Sequence, residues 1–592
     1  MIKWRRLTVP TVILLAAFVA IVPQLIRGNS CGHDFDFHLV SWIDALHSWR
    51  QGILYPHWAP SPNYSAGSPR FVFYPPLTWM LGAALGTFLP WTLAPIALTF
   101  LLLAATGFAT RALARQLLPE GPSTLAGCAA IFSSYALFAA YERSAFAELT
   151  GGFWIPLVLL FALRSRNPTK PLFGRAFNGS AVPLAIAIAG AWLSNDPVGV
   201  MACYLLAAVA LAAALTARSW APILRAAAST ALGLALAAVY VLPAAWEQRW
   251  VEIRQAVDDP GLEIQNNFLF ARNADPALRL HDLVNRTASI AAVIMIAVAL
   301  AGLLICWRRG LLAGPNGRHF WIPLALVPFA ILFLLLPISL PVWNLLPDLR
   351  FLQFPWRWLV ALEAPMAAFF AAAVWPSRPR LRFPVSAACV AVFLGATFYA
   401  SSAYFLACDN ESTVAATLSA YRTHTGFEGD DEYQPQGADG TDLASGLPEG
   451  CLVDDPLTEL GGPQPPDPYM PRVWLPEQHT CLATFPAATP ATGPPPEHLR
   501  IAGVASQPGF LVLRLVRFPA WRVRVNGRPA TNLPQREDGL LAVPVPAGPI
   551  DLTVDWTATP DVLAARWLSA FAGLALIGLS IFERKLSPPR LS

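Results

Sequence analysis

The sequence predicts an α-helical polytopic membrane protein of about twelve spans with one interfacial segment and a C-terminal extracytoplasmic β-sandwich-like domain. Three observations predict it. Hydrophobic residues make up 55% of the 592 and charged residues only 13%, whereas soluble chains carry about 25% charged residues. Long apolar runs recur along the chain, and basic residues fall on alternate connections between them. A soluble globular enzyme, a disordered chain and a nucleic-acid binder are excluded together. The net charge of +4 is too small to imply a polyanionic partner.

A membrane helix needs about 20 mainly apolar residues. Runs that qualify are 8–26, 93–113, 123–140, 149–163, 179–195, 197–217, 224–245, 286–306, 320–338, 358–375, 384–404 and 561–582. Lys3, Arg5 and Arg6 precede the first run as they would in a signal peptide, but no A-x-A-like site follows, so it reads as an uncleaved span. With the N-terminus inside, the inner loops carry Arg111 and Arg115, then Arg164, Arg166, Lys170 and Arg175, then Arg218 and Arg225. Next come Arg308, Arg309 and Arg318, then Arg378, Arg380 and Arg382, and finally Arg584, Lys585 and Arg590. This is the positive-inside pattern. It requires that 76–90, bounded by Pro75, Pro76 and Pro90, be interfacial or re-entrant. Both termini are then cytoplasmic. Only three lysines (Lys3, Lys170, Lys585) stand among 41 basic residues, beside abundant Ala and 56 Pro, which points to a GC-rich bacterial genome and so to a bacterial plasma membrane.

The chain divides into a membrane domain 1–404 with a long first outside loop 27–92, an extracytoplasmic domain 405–560, and a last span and short tail 561–592. A further outside segment covers 246–285. Residues 405–500 are rich in Pro, Gly and Asp and read as irregular. From about 500 the pattern turns to strands: Gly509–Val516, Trp521–Val525, a hairpin turn at Asn526-Gly527, then 540–545 and 550–556. Cys128, Cys203, Cys306 and Cys389 fall in spans; Cys31, Cys408, Cys451 and Cys481 fall outside, where disulfides can form. Cys451 with Cys481 and Cys31 with Cys408 are the candidate pairs, and free thiols are the alternative.

The densest polar cluster is Gly32-His33-Asp34-Phe35-Asp36-Phe37-His38, directly after the first span. A helix starting here places Phe35, Leu39, Trp42, Leu46 and Trp49 on one stripe, the pattern of an amphipathic helix lying on the membrane surface. Asp34 and Asp36 point apart on such a helix and converge only if Asp34 precedes it. One reading makes either aspartate an N-cap in a solvated loop. The other makes a carboxylate a general base or a ligand of a divalent cation such as Mg or Mn, with Asp34, Asp36 and Glu148 as the ligand set. His33 and His38 match no strong zinc spacing. The aromatic-proline stretches 55–58 and 71–77 read as a headgroup belt, although aromatic faces also suit sugar rings.

A second cluster, Tyr141-Glu142-Arg143-Ser144-Ala145-Phe146-Ala147-Glu148, stands at the outer end of the third span. Ionisable residues at membrane depth are functional candidates; an internal ion pair of Arg143 is the structural alternative. Asn195-Asp196-Pro197 reads as a structural turn. Asp348, Arg350, Gln353, Arg357 and Glu363 flank Phe354-Pro355-Trp356. The planar fork of arginine suits phosphate, so Arg143, Arg249, Arg350 and Arg357 are candidate phosphate contacts, with interfacial anchoring the alternative.

The runs GHDFDFHL, GILYPHW and GSPRFVFYPPLTW, with YERSAFAEL, FLQFPWRWL and EYQP at 432–435, resemble bacterial polytopic proteins carrying the membrane "6-pyruvoyl-tetrahydropterin synthase-related" domain. Ser144 stands where that family commonly has Gly. The resemblance runs from 30 to about 435 and brings no pterin chemistry, since neither a soluble synthase domain nor a zinc triad is evident. The wider architecture resembles the GT-C glycosyltransferases, which use polyprenyl-phosphate or polyprenyl-diphosphate sugar donors and an acidic residue of the first outside loop. That resemblance implies Asp34 as the catalytic carboxylate, with Asp36 second. The aminoarabinose-transferase branch uses an active-site Lys, and no lysine lies outside here.

The expectation is a sugar transferase acting at the outer face on a glycan, lipid or protein acceptor. Asp34 and Asp36 are catalytic, Glu142 and Glu148 support the acidic site, and Arg143 and Arg357 contact donor phosphate. It requires that Asp34, Glu148 and Arg357 face one outer cavity. A lipid-linked glycan transporter or flippase is the second reading; it calls for polar residues across several spans at midplane, which are few. A non-catalytic scaffold for glycan export is the third.

Overall fold

The computed structural model describes residues 2–164, 181–311, 317–463, 465, 471–478, 480–487 and 497–586. Among them, ten helices are long and apolar enough to cross a membrane: Val9–Arg27, Ala94–Ala114, Glu120–Tyr141, Phe146–Leu163, Asp196–Ala217, Ala221–Trp250, Pro276–Arg308, Pro355–Val374, Pro379–Ala403 and Pro560–Ile581. Two expected runs depart from a straight span. The run 320–338 breaks ahead of Pro337 into Arg318–Leu334 and Pro337–Leu345, bent by 95°, where a proline removes a helix donor. The run 179–195 is the shorter helix Ala181–Ser194. The chain is a multi-pass α-helical membrane protein with a C-terminal β-domain.

Segment 76–90 forms the helix Pro76–Phe88. Its 13 residues rise about 20 Å, short of the roughly 30 Å hydrocarbon core. It packs instead on the helix Phe35–Arg50. There Gly82 is needed, because a Cβ at that position would stand 2.1 Å from the Trp42 ring.

The sequence stripe suggests that Phe35–Arg50 lies on the membrane surface, and the structure corrects this. Phe35, Leu39, Trp42 and Leu46 are buried, but so are His38, Ser41, Asp44, Ala45 and Ser48 on the remaining faces. The helix is enclosed by protein. The aromatic stretches of the first loop likewise do not form a headgroup belt. Trp58 is buried against Trp521 and Trp556 of the β-domain, at ring separations of 5.0 and 5.8 Å, and His57 stacks on Trp556.

The β-domain has two antiparallel four-stranded sheets. The strands are β1 Gly450–Val453, β2 Ala483–Phe485, β3 His498–Ala505, β4 Gly509–Val516, β5 Trp521–Val525, β6 Arg528–Pro529, β7 Leu540–Val545 and β8 Gly548–Trp556. One sheet is ordered β2-β1-β4-β7 and the other β3-β8-β5-β6. Asn526 and Gly527 both take positive φ, 50° and 76°, as a two-residue hairpin requires. Strand β3 alternates buried and exposed positions, whereas β1 is buried throughout. The first outside loop covers part of this sheet: Trp58, Ala66, Val72 and Phe73 join the core of Leu452, Leu511 and Leu541, and Val516 N–H donates to Ala66 O at 2.9 Å. Disulfides Cys451–Cys481 and Cys31–Cys408 both form. The second ties the end of the first span to the start of the extracytoplasmic domain.

The opposite end of the bundle is basic. Arg225 donates to Ala162 O and Arg164 O at 3.4 and 3.1 Å, and Arg309 donates to Ala373 O at 2.7 Å. These arginines satisfy helix C-terminal carbonyls, where positive charge is favoured. Arg166, Lys170 and Arg175 lie outside the described residues.

The first outside loop folds around a buried carboxyl. Asp44 is fully buried and accepts from Ser61 Oγ at 2.6 Å and Ser61 N–H at 3.2 Å. Burial pushes it up to about 7, against the opposing pull of the Ser61 hydrogen bonds and Arg70. A carboxyl whose folded pKa is raised stabilises the fold fully below its unfolded value, and that contribution is lost as pH rises through the folded one. Thermal stability is therefore expected to fall between about pH 4 and about pH 7, and Asp44→Asn to flatten that slope in a thermal-unfolding series across the range.

Candidate functional site

The site is built where the chain leaves the first span. Residues 30–34 run against the turn 142–145. Ser30 Oγ donates to Tyr141 O at 2.6 Å, Gly32 N–H donates to Ser144 Oγ at 3.1 Å, Ser144 Oγ donates to Ser30 O at 2.7 Å, and Asp34 N–H donates to Arg143 O at 2.9 Å. The approach is so close that a Cβ on Gly32 would lie 2.5–2.7 Å from the backbone of Glu142, Arg143 and Ser144. Ser144 itself takes φ +48°, a region that favours glycine.

This junction places Asp34 as the residue preceding the helix Phe35–Arg50, without a side-chain capping bond. Its carboxylate is instead held by Arg143 Nη2, 3.2 Å from each oxygen. Burial pushes Asp34 up, but Arg143, His38 and Arg357 outweigh it and hold the carboxyl below its usual range. The Arg143 side chain is 8% exposed and that of Asp34 32%. Arg143 also lies over the faces of Phe354 and Trp356, 5.4 and 5.3 Å from their centroids.

A second ion pair stands beside the first. Glu148 Oε2 lies 3.5 Å from Arg357 Nε, and Glu148 Oε1 accepts from the Tyr135 hydroxyl. Arg357 Nη1 donates to Leu352 O at 2.9 Å and Gln353 Oε1 at 3.0 Å, leaving Nη2 without a hydrogen-bond partner among the described residues. Arg357 also lies over Phe354, at 5.0 Å, so both guanidinium groups lie near one ring. The loop that presents Arg357 is strained: Asp348 and Gln353 take φ of 58° and 61°. Such conformations persist where surrounding contacts hold them. Here Gln353 Nε2 donates to Ala256 O at 2.8 Å.

Asp34, Glu148 and Arg357 line one cavity of 540 Å³ on the side of the bundle that carries the β-domain. Its wall includes Phe37, Tyr74, Trp192, Tyr240, Phe351 and Tyr433, and the acids Asp196, Asp348, Asp430 and Glu432. Arg70 answers Asp430 through Nη2 at 2.7 Å. Burial and the neighbouring Asp430 push Glu432 up to about 7. Aromatic faces and carboxylates together match the apolar faces and hydroxyl donors of a sugar.

Other expected members are placed elsewhere. Asp36 is exposed and points away from the cavity, with Asp409 as its charged neighbour. Glu142 is buried and its side chain does not reach the cavity wall. Arg143 stands behind Asp34 and contributes no cavity lining. The ligand set Asp34, Asp36 and Glu148 is not assembled, because Asp34 and Asp36 diverge at the helix start. Among the described residues no three His, Cys, Asp or Glu are grouped to hold a metal ion. His38 is buried, and desolvation pushes it down to about 4.

Asp196 is a cavity residue that the sequence reading treats only as part of a turn. Asn195 does cap the following helix, accepting from Val198 N–H at 3.1 Å. Asp196 lies within 2.5 Å of the Tyr240 hydroxyl, which is also 2.8 Å from Phe73 O. The available signal is an ionisable residue at the end of a span. The partner Tyr240, 44 positions away, leaves no trace in local sequence.

No family model and no curated protein matches the chain. Solved structures with a similar arrangement include the Archaeoglobus fulgidus oligosaccharyltransferase in complex with Zn and sulfate, at TM-score 0.41 and 16% identity over 72% of this chain and 58% of that one. The archaeal oligosaccharyltransferase AglB, in complex with an inhibitory peptide and a dolichol-phosphate, gives TM-score 0.42 and 12% identity over 73% and 61%. The mycobacterial arabinofuranosyltransferase AftD gives 0.37 and 19% over 66% and 26%. The chain thus spans about three fifths of the length of the oligosaccharyltransferases. The fold stands on the helices and sheets described above.

Removing the Arg143 charge takes away the largest of the pulls that oppose burial at Asp34. In Arg143→Gln, Asp34 should titrate at higher pH. Carbodiimide modification consumes the protonated carboxyl, so its midpoint at Asp34, read by peptide mass mapping, should move upward. Arg143→Lys, which keeps the charge, should move it less.

Proposed function

We propose that the protein is a glycosyltransferase that moves a sugar from a polyprenyl-phosphate or polyprenyl-diphosphate donor to an acceptor at the outer face of a bacterial plasma membrane. The observation that carries the reading is one cavity, on the side of the bundle that carries the β-domain, lined by Asp34, Glu148 and Arg357. The donor class comes from the resemblance to GT-C enzymes, and the basic end of the bundle supports cytoplasmic termini.

The residues divide the work by charge. Asp34 is held ionised by Arg143 and reaches the cavity. It accepts the proton of the acceptor hydroxyl as that oxygen bonds to the anomeric carbon. The bond from that carbon to the donor phosphate breaks, and its electron pair stays on the phosphate oxygen. A single displacement inverts the anomeric centre. Arg357, whose Nη2 lacks a protein partner among the described residues, faces the departing phosphate with charge-assisted donors. Glu148 and Gln353 fix the plane of Arg357. Asp34 is a weaker base for its pairing with Arg143; what it supplies is a carboxylate already ionised and oriented before substrate arrives.

Asp34→Asn keeps size and removes the base, so donor consumption in proteoliposomes should fall by about 100-fold or more with normal membrane insertion. Full transfer by this variant removes Asp34 from the mechanism. The same vesicles distinguish a transferase from a flippase: donor translocated without being consumed overturns the reading.

A further inference from the structure

A second concavity lies far from the acidic cavity. It has a volume of 530 Å³ and is lined by three stripes at helical spacing: Val9, Val12, Ala16 and Val19; Gly121, Thr124, Leu125, Cys128 and Phe132; and Ser386, Cys389, Val390 and Phe393. The three helices run parallel. Their C-terminal ends are joined on the β-domain side, where Arg27 donates to Ser401 O at 2.5 Å and Ser30 bonds to Tyr141 and bridges to Ala407. Their N-terminal ends therefore lie together at the other membrane surface. Val12, Leu15, Val390 and Leu394 are 45–59% exposed, so the groove opens sideways toward lipid.

The groove has two unlike ends. Phe132 stacks on Phe393 at 4.8 Å and closes the deep end. The shallow end carries Glu120, Thr124, Ser386 and Trp375. Arg111 donates to Thr124 there at 3.4 Å. Arg378 and Arg380 follow Trp375 in the chain, and Arg382 stands one turn before Ser386. Arg378, Arg380 and Arg382 are exposed and take part in none of the ion pairs among the described residues. From Val9 to Val19 the groove runs about 15 Å, half the roughly 30 Å hydrocarbon core. That is the depth of one leaflet.

We infer that this groove is a binding site for one anionic glycerophospholipid of the leaflet opposite the acidic cavity. One acyl chain lies along the three stripes, and the phosphate headgroup meets the Arg378, Arg380 and Arg382 rim. Lateral opening selects an occupant from the bilayer, the half-membrane length selects a chain of one leaflet, and the excess of arginine over the single Glu120 selects a negative headgroup. The site does not depend on the chemistry at the acidic cavity.

The test uses the full chain in bilayers holding, in turn, phosphatidylglycerol or phosphatidylcholine with a diazirine at mid-chain. Crosslinks are mapped by peptide mass spectrometry, with the lipid-facing helix Pro560–Ile581 as internal reference. Residues 9–19, 121–132 and 386–394 should take at least about fivefold more phosphatidylglycerol than phosphatidylcholine, relative to the reference helix. The triple variant R378A/R380A/R382A should bring that ratio down to the reference value. Ala16→Trp, which fills the groove and leaves the rim intact, should remove labelling of 121–132 by both lipids. Equal labelling by the two lipids in the wild-type chain, or labelling no denser than on the reference helix, overturns the site without recourse to any variant.

Discussion

The site depends on how closely residues 30–34 press against the turn 142–145. Backbone approaches backbone there with no room for a side chain at Gly32. Four hydrogen bonds within 3.1 Å close the gap, and the Cys31–Cys408 disulfide clamps the same stretch from the other side. The contact brings Asp34 to Arg143, 109 positions apart, and starts the helix Phe35–Arg50 at the cavity rim. Glu148 follows one helical turn beyond the same tight turn, so both ion pairs inherit their positions from one junction.

Two carboxylates beside two arginines form two ion pairs, with both guanidinium groups near the Phe354 ring. Charges withdrawn from water persist only when paired. The difference in exposure then divides their parts. Asp34 is about a third exposed and open to a ligand, while Glu148 is 4% exposed and fully engaged. A wall of six carboxylates against one lining arginine also makes the cavity acidic, so an incoming phosphate has a favourable partner chiefly near Arg357. A polar sugar finds acceptors almost anywhere along the wall.

The β-domain belongs to the cavity side of the protein rather than hanging from it. Trp58 and His57 of the first loop sit among Phe518, Trp521 and Trp556, and Glu497 accepts from the backbone of His57 at 2.7 Å. Nearby, Val251 bridges to Pro435 and Arg70 grips Asp430, which brings Glu432 and Tyr433 to the cavity wall. The segment ahead of the strands thus supplies Asp430 and Glu432 to the acidic lining of the cavity.

The sequence by itself determined most of the spans, the basic end, the strand-rich C-terminal segment and the acidic cluster after the first span. Each is written in local composition: apolar runs of membrane length, arginines on one side, an Asn-Gly turn between alternating strands. It also marked Asp34, Glu148 and Arg357, because an ionisable side chain at a membrane boundary is costly wherever the fold puts it. What it could not decide was which of those residues meet. Asp34 and Asp36 are two positions apart and diverge, while Asp34 and Arg143 are 109 apart and bond. The burial of Phe35–Arg50, the turn of Trp58 toward the β-domain and the pairing of Asp196 with Tyr240 are likewise tertiary. Local pattern reports what a segment prefers in water or lipid. Only packing brings distant segments together and decides which faces water reaches.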